Sequence, residues 1–219
     1  MSFDFAVILA KAPQILMGLG VTILIWVAGT LASAVLGFLI ATARRFGGRP
    51  VDLLLQVPIE VLRGTPFLVQ IFLLYFGGPY IGLRLDPITA GLLGISIYGA
   101  AYYAEIFRAG YQSVPVGHVE AAECVGFSRQ QIILHVLLPE MALLVLPPSI
   151  NMAVILLKET ALLSLITVPE MTMTVSAIGS QQYAFVESLV ILALVYWGLV
   201  ELSNWLGRIA ERKLSKLSA

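Results

Sequence analysis

Gly117-His-Val-Glu-Ala-Ala-Glu-Cys-Val-Gly-Phe-Ser-Arg-Gln-Gln-Ile-Ile-Leu-His-Val-Leu-Leu-Pro139 is an island of polarity in an otherwise apolar chain. Glu120, Ala121 and Ala122 favour helix, Gly117 is able to open it, and the Glu120 carboxylate complements the macrodipole in the first turn. Gly126 is placed to stop that helix with a left-handed cap. Ser128 and Gln131 have the spacing of a capping box, so a new helix starts there and runs into the apolar stretch from Ile132. A helix of about two turns, roughly 12 Å long, is thus wedged between longer apolar segments. Its small Ala121 and Ala122 face would let a partner's backbone approach closely.

The surroundings of this island are those of a membrane protein: 59% of the 219 residues are hydrophobic and only 12% charged, with a mean hydropathy of +0.93. Zero net charge and a pI near 6.7 leave no basic face for nucleic acid. The single cysteine, Cys124, excludes an intrachain disulfide framework and is expected to be a reduced thiol. Met1 to Pro13 lacks a basic start and a long apolar core, so it is read as a retained segment, a short amphipathic helix, rather than a secretory signal.

Five spans are expected in one domain over residues 1–219, at about 14–43, 53–78, 87–107, 130–157 and 183–206, with the short helix at about 117–126 between spans three and four. Span one is free of charge from Gln14 to Ala43 and offers Gly18, Gly20, Gly29, Ala32, Ser33 and Gly37 for helix contact. Span two is ambiguous. Either a helix from Val51 carries Glu60 into the membrane, or residues 51–63 lie along the interface and the span begins near Thr65; in both cases Glu60 and Arg63 are spaced to pair. Glu105 and Arg108 make an ion pair at the end of span three. Span four opens with a stretch broken by Pro139, Glu140 and Pro147-Pro148. Thr167-Val168-Pro169-Glu170 reads as a capping box that starts a short helix at the outer face.

Basic residues set the orientation. Placing the loop after span one, the island and the C-terminus on one side collects Arg44, Arg45, Arg49, Arg108, Arg129, Arg208, Arg212, Lys213 and Lys216 there, against Lys11 and Arg84 opposite. The positive-inside rule then makes the island and the C-terminus cytoplasmic and the N-terminus external.

Glu120-Ala121-Ala122, three residues, Gly126, nine residues, Val136, one residue and Leu138-Pro139 resembles the signature loop of the permeases of binding-protein-dependent ABC importers, with Val136 where that family usually has Ile. Glu60-Val61-Leu62-Arg63-Gly64-Thr65-Pro66 with Val69-Gln70, and Lys158-Glu159-Thr160-Ala161-Leu162, resemble its polar amino-acid branch, the histidine, glutamine, glutamate, arginine and cystine type permeases. The resemblance covers essentially the whole chain. It implies an all-α membrane protein of the type I importer fold in a bacterial inner membrane. It also implies docking of Glu120, Ala121, Ala122 and Gly126 onto a separate ATPase, the coupling role. The partners it implies are a second permease chain, identical or sibling, two ATPase subunits carrying ATP and Mg, an extracytoplasmic solute-binding protein, an amino acid and membrane lipid.

No enzyme is assembled from these residues. His118 and His135 are the only histidines, both in or beside the island, and neither a metal-ligand spacing, a nucleophilic triad nor a phosphate-cradling loop is present, so no cofactor is expected in this chain. Cargo movement therefore needs an outside engine or an ion gradient. Without the family resemblance, a small secondary transporter, a channel or a noncatalytic membrane anchor remain alternatives. Glu60, Arg63, Gln70, Asn151, Lys158 and Glu159 are the polar candidates for a substrate pathway, since each charge at mid-membrane costs roughly 2.5–3.5 kcal/mol. Lys158 and Glu159 point about 100° apart on a helix and so leave one free for a cavity. Sites of both signs suit a zwitterionic amino acid.

Overall fold

The computed structural model describes residues 10–215. The amphipathic helix expected over Met1 to Pro13 falls mostly, and Lys216 wholly, outside them. Among the described residues nine α-helices follow one another: α1 Ala12–Phe46, α2 Gly48–Gly64, α3 Phe67–Phe72, α4 Pro87–Ser113, α5 Val116–Cys124, α6 Arg129–Ile132, α7 Leu138–Glu159, α8 Met171–Gln182 and α9 Phe185–Ser215. α3 is prolonged by a π-turn, Leu73–Gly77, and a 3₁₀ turn, Gly78–Ile81; a second π-turn, Ile133–Leu137, joins α6 to α7. The stretches Ala12–Phe46, Pro87–Ser113, Arg129–Ile166 and Phe185–Lys213 are each long and apolar enough to cross a bilayer.

α1 and α4 make the most extensive helix pair. Gly18, Thr22, Ile25, Gly29, Ser33, Gly37, Ala41 and Arg44 recur every three or four residues and are buried, forming one stripe of mostly small side chains. A Cβ on Gly37 would come within 2.8 Å of the Ala104 backbone nitrogen, so close approach of the two backbones requires glycine there. Ser33 donates its hydroxyl to Gly29 O at 2.7 Å and lies 3.2 Å from Ile95 O and Ser96 O, so its buried hydroxyl is satisfied. Of the small residues read for helix contact, Gly20 is exposed and Ala32 only half-buried, off this stripe.

Contacts fix the directions of the spans. Gly29 faces Ile95 and Gly37 faces Tyr103, so α1 and α4 run parallel; Gly91 faces Leu163 and Gly110 faces Val145, so α7 runs back against α4; Gly207 meets Ile150 while Ser188, at the start of α9, meets Gly179 of α8 beyond the end of α7, so α9 runs against α7. One end of the bundle therefore gathers the ends of α1, α4 and α9 with α2, α5 and α6. The opposite end carries α8, which packs on the start of α1 through Gly18 and Thr174.

Of the two arrangements open for span two, a single helix from Val51 is not the one found: α2 and the Phe67–Ile81 arm meet at 105°, because Pro66 lacks the N–H that would continue the ladder and Thr65 is extended. Three local expectations are corrected. Glu60 and Arg63 do not pair; Glu60 accepts from Gln56, and Arg63 turns to Glu105 at 3.7 Å. Thr167 does not cap the short outer helix, since its φ of 64° closes the 3₁₀ helix Thr160–Ile166 that follows α7, and Glu170 itself accepts from the N–H groups of Thr172 and Met173. The prolines of the fourth span do not interrupt α7, which contains Pro147 and Pro148; the irregularity lies upstream, in the π-turn before Pro139.

Candidate functional site

α5 begins after the extended Pro115 rather than at Gly117, and ends in a Schellman arrangement. Gly126 has φ 84°, its N–H donates to Glu123 O at 3.0 Å, and the Phe127 N–H donates to Ala122 O at 3.1 Å. Ser128 then starts α6 with the expected reciprocal box: its N–H donates to Gln131 Oε1 at 2.8 Å, and the Gln131 N–H to its hydroxyl at 3.4 Å. Glu120, Ala121, Glu123 and Cys124 are exposed. Ala122 is turned inward instead, among Ala41, Tyr111, Val114, Ile132 and Met141. The docking face read from the sequence is thus Glu120 and Ala121, while Ala122 seats the helix on α1, α4 and α7. A brace that sequence spacing does not reveal completes the seat: His118 Nδ1 lies 2.8 Å from Glu140 Oε2, tying α5 to α7.

A second group of polar residues climbs the bundle from the same end. Glu105 is its hub, bonded by Arg44 Nη1 at 2.5 Å and by Arg108 Nη2 at 2.7 Å, with Arg63 Nη1 at 3.7 Å. Arg44 also holds Asp52 at 2.7 Å with its side chain almost fully buried, so α1, α2 and α4 are joined by one ion cluster. Such a buried guanidinium persists because both of its faces meet carboxylates. Arg63 lies over the Tyr102 ring at 5.4 Å, and the Tyr102 hydroxyl lies 3.4 Å from Arg63 O and 3.3 Å from the Tyr98 hydroxyl. Tyr98 is in turn within electrostatic reach of the half-buried Glu159. Tyr98 sits eleven residues into the 27-residue α4, about 17 Å along a helix of roughly 40 Å, so Glu159 lies beside the middle of α4.

The remaining candidates separate. Lys158 and Asn151 are exposed, whereas Glu159 is half-buried. The amide nitrogen of Gln70 donates to Leu62 O at 2.6 Å and lies 3.1 Å from Thr65 O and 2.9 Å from its hydroxyl, so it braces the bend between α2 and α3. Glu60 and Arg63 line a charged cavity of about 490 Å³ under α2, together with Arg44, Arg45 and Glu105. Tyr98 and Tyr102 escaped the sequence reading, although an i, i+4 pair of hydroxyl-bearing rings within a span is a signal for a shared polar face.

The model of the family described as binding-protein-dependent transport system inner membrane component matches residues 33–216. The chain belongs to this family. Such an inner-membrane permease is the transmembrane subunit of a binding-protein-dependent ABC importer; it works with an ATPase that carries out hydrolysis separately and with a substrate-binding protein. The permease is 35% identical over 219 residues to the glutamine transport system permease protein GlnP of Escherichia coli (strain K12), covering 99% of this chain and 100% of GlnP. It is 34% identical over 211 residues to YckA of Bacillus subtilis (strain 168), a probable amino-acid ABC transporter permease, covering 96% and 93%. A crystal structure of an amino acid ABC transporter with histidines superposes with a TM-score of 0.87 at 31% identity, covering 97% of this chain and all of that one. The inward-facing methionine transporter MetNI, at 18% identity and a TM-score of 0.68 over 93% of this chain and 95% of its own, is alike in fold.

Proposed function

We propose that this permease moves polar amino acids inward as one of a pair of identical or sibling chains, driven by two ATPase subunits that hold ATP and Mg. In this reading α5 docks on the ATPase through Glu120 and Ala121, with Gly126 setting its end, and the solute-binding protein delivers cargo at the α8 end. The observation that carries the reading is α5 itself: a short, exposed helix, capped at Gly126 and braced by Ala122 and the His118–Glu140 pair to two spans. The gathering of Arg44, Arg45, Arg49, Arg108, Arg129, Arg208, Arg212 and Lys213 at the same end supports a cytoplasmic location for α5 and the C-terminus and an external N-terminus. Relatives named for amino-acid transport support the cargo class.

Cargo passes Glu159, whose carboxylate pairs with the substrate ammonium at a depth where that attraction exceeds its worth in water. Arg63 lies one step beyond the tyrosines, at the cytoplasmic end of this row. Lys158 and Asn151 face the second chain's side of the pathway, and Glu60 its cytoplasmic mouth; Gln70 shapes the pathway by holding the bend. In proteoliposomes containing the ATPase and binding protein, Glu159→Gln should lower uptake of every transported amino acid in a panel and abolish substrate stimulation of hydrolysis, while basal hydrolysis persists. Parental uptake in properly assembled complexes would return Glu159 to a structural role. Orientation has its own test, because Cys124 is the sole thiol and exposed: a membrane-impermeant maleimide should label it only in opened cells.

A further inference from the structure

Three features meet at α2, at the end of the bundle where the proposed pathway has its cytoplasmic mouth. In the charged cavity, Arg44 bonds Asp52 and Glu105, and Arg108 bonds Glu105, so those groups satisfy one another. Left over are Glu60, bonded to Gln56 and to no cation among the described residues, Arg45, without an ion pair among them, and the loosely held, 40% exposed Arg63. Next to this cavity, sharing Ile59 with it, is an apolar slot of about 160 Å³ between α1, α2 and α4, bounded by Leu36, Ile40, Leu62 and Ile97. Leu36 and Ile97 are 41% and 43% exposed, so the slot opens on the outer surface of the bundle. Above both lies α2, whose Leu53, Leu54, Val57 and Val61 are exposed while Asp52, Gln56 and Arg63 turn to the cavity. That pattern is the one of a helix lying in the plane of a membrane interface.

We propose that the cavity and slot together bind one phospholipid whose headgroup carries both a phosphate and a primary ammonium. Arg45 and Arg63 hold the phosphate through charge-assisted hydrogen bonds, Glu60 takes the ammonium, and the upper part of one acyl chain enters the slot beneath α2. A cavity of both signs would by itself suit a free zwitterion equally; the open apolar slot beside it, at interface depth, selects the lipid. A phosphoglycerol headgroup leaves Glu60 facing an anion, and a trimethylated headgroup has no N–H to donate to it. The site bridges α1, α2 and α4 at the α5 end, so its occupancy stiffens the angle at which α2 meets the bundle.

The delipidated importer complex, titrated in detergent with phosphatidylethanolamine, phosphatidylglycerol or phosphatidylcholine, gives the number of lipids held per permease by native mass spectrometry. Phosphatidylethanolamine should be held best. Arg45→Gln, at an exposed position, should weaken it and phosphatidylglycerol alike, by roughly fivefold for one lost basic contact. Glu60→Gln should erase the preference between those two lipids, and Ile97→Trp, which closes the slot from its open side, should weaken all three in complexes of unchanged composition. Equal retention of the three lipids by the parental complex overturns the proposal, as does undiminished phosphatidylethanolamine binding in both Arg45→Gln and Glu60→Gln. Displacement of the lipid by free glutamine would assign the cavity to an amino acid and overturn it as well.

Discussion

Two short helices join spans in this permease, and they are built on opposite plans. α5 buries only Ala122, is closed by a glycine in the left-handed region and is held at its edge by the contact of His118 with Glu140. α8 buries Met171, Val175, Ile178 and Gly179, and its cap, Glu170, is wholly inaccessible. The Glu170 carboxylate accepts from two backbone N–H groups, at 2.8 and 2.7 Å, and from the Tyr196 hydroxyl at 3.0 Å, while the Met171 N–H donates to Thr22 Oγ1 at 3.0 Å. One helix is thus presented for a partner and the other is part of the wall. The difference lies less in the helices than in their ends: a glycine cap asks nothing of neighbouring spans, whereas the start of α8 is tied to α9 through the Glu170 carboxylate and to α1 through the Met171 N–H.

The sharpest way to break this contrast is to remove an acid from each helix. Glu170→Ala should lower the stability of the permease by about 2–3 kcal/mol, since it strips a cap and leaves buried donors unpaired. Glu120→Ala should stay within about 0.5 kcal/mol of the parent in thermal unfolding and lose ATPase-coupled uptake instead. If the two variants were equally destabilised, α5 would be as much a structural element as α8. Gly126→Val should come next, with about 1–2 kcal/mol of left-handed strain at one residue. Its signature is hydrolysis without uptake, or failure to co-purify with the ATPase; parental uptake would remove Gly126 from coupling.

The smallest effect concerns pH. Burial pushes the Glu170 carboxyl above its ordinary range, against the pull of the Thr172 and Met173 N–H groups and the Tyr196 hydroxyl. The folded chain therefore holds this proton to higher pH than the unfolded chain does. Its contribution to stability is full below the ordinary value of 4.5 and is lost as pH rises through the raised folded value. The slope cannot exceed about 1.4 kcal/mol per pH unit for one proton. Thermal midpoints measured from acid to neutral pH should decline more steeply for the parent than for Glu170→Gln, and parallel curves would mean that the carboxyl is ionised throughout.

What could be read in the sequence was local. The stop at Gly126 and the box from Ser128 to Gln131 depend on residues within one turn, and both stand in the structure. Thr167 and Glu170 failed for an instructive reason: a Thr-x-x-Glu spacing does not say which of its two oxygen-bearing side chains caps the helix. A left-handed Thr167 leaves the task to the longer one. The hub at Glu105 was half legible. Arg108 is three residues away, but Arg44 is separated by 61 positions and Arg63 comes from another helix, so only the parallel packing of α1 on α4 brings them together. Gln70 stood out as a polar residue in an apolar run, yet its work is set by the break at Thr65, which no periodicity encodes.

The π-turn at Ile133–Leu137 has a geometric corollary. Each such turn accommodates an additional residue without lengthening the helix by a full step, and that residue is worth about 100° of winding. The faces of α6 and α7 are therefore out of phase, and a single helical wheel drawn through residues 129–159 assigns one of them to the wrong side. Deleting one residue from 133–137 would preserve every apolar side chain in α7 and still swing Ser128, with α5 behind it, by roughly a quarter turn about the span. This stretch acts as an angular offset between the membrane helix and its appendage, and the number of residues in it matters more than their identity.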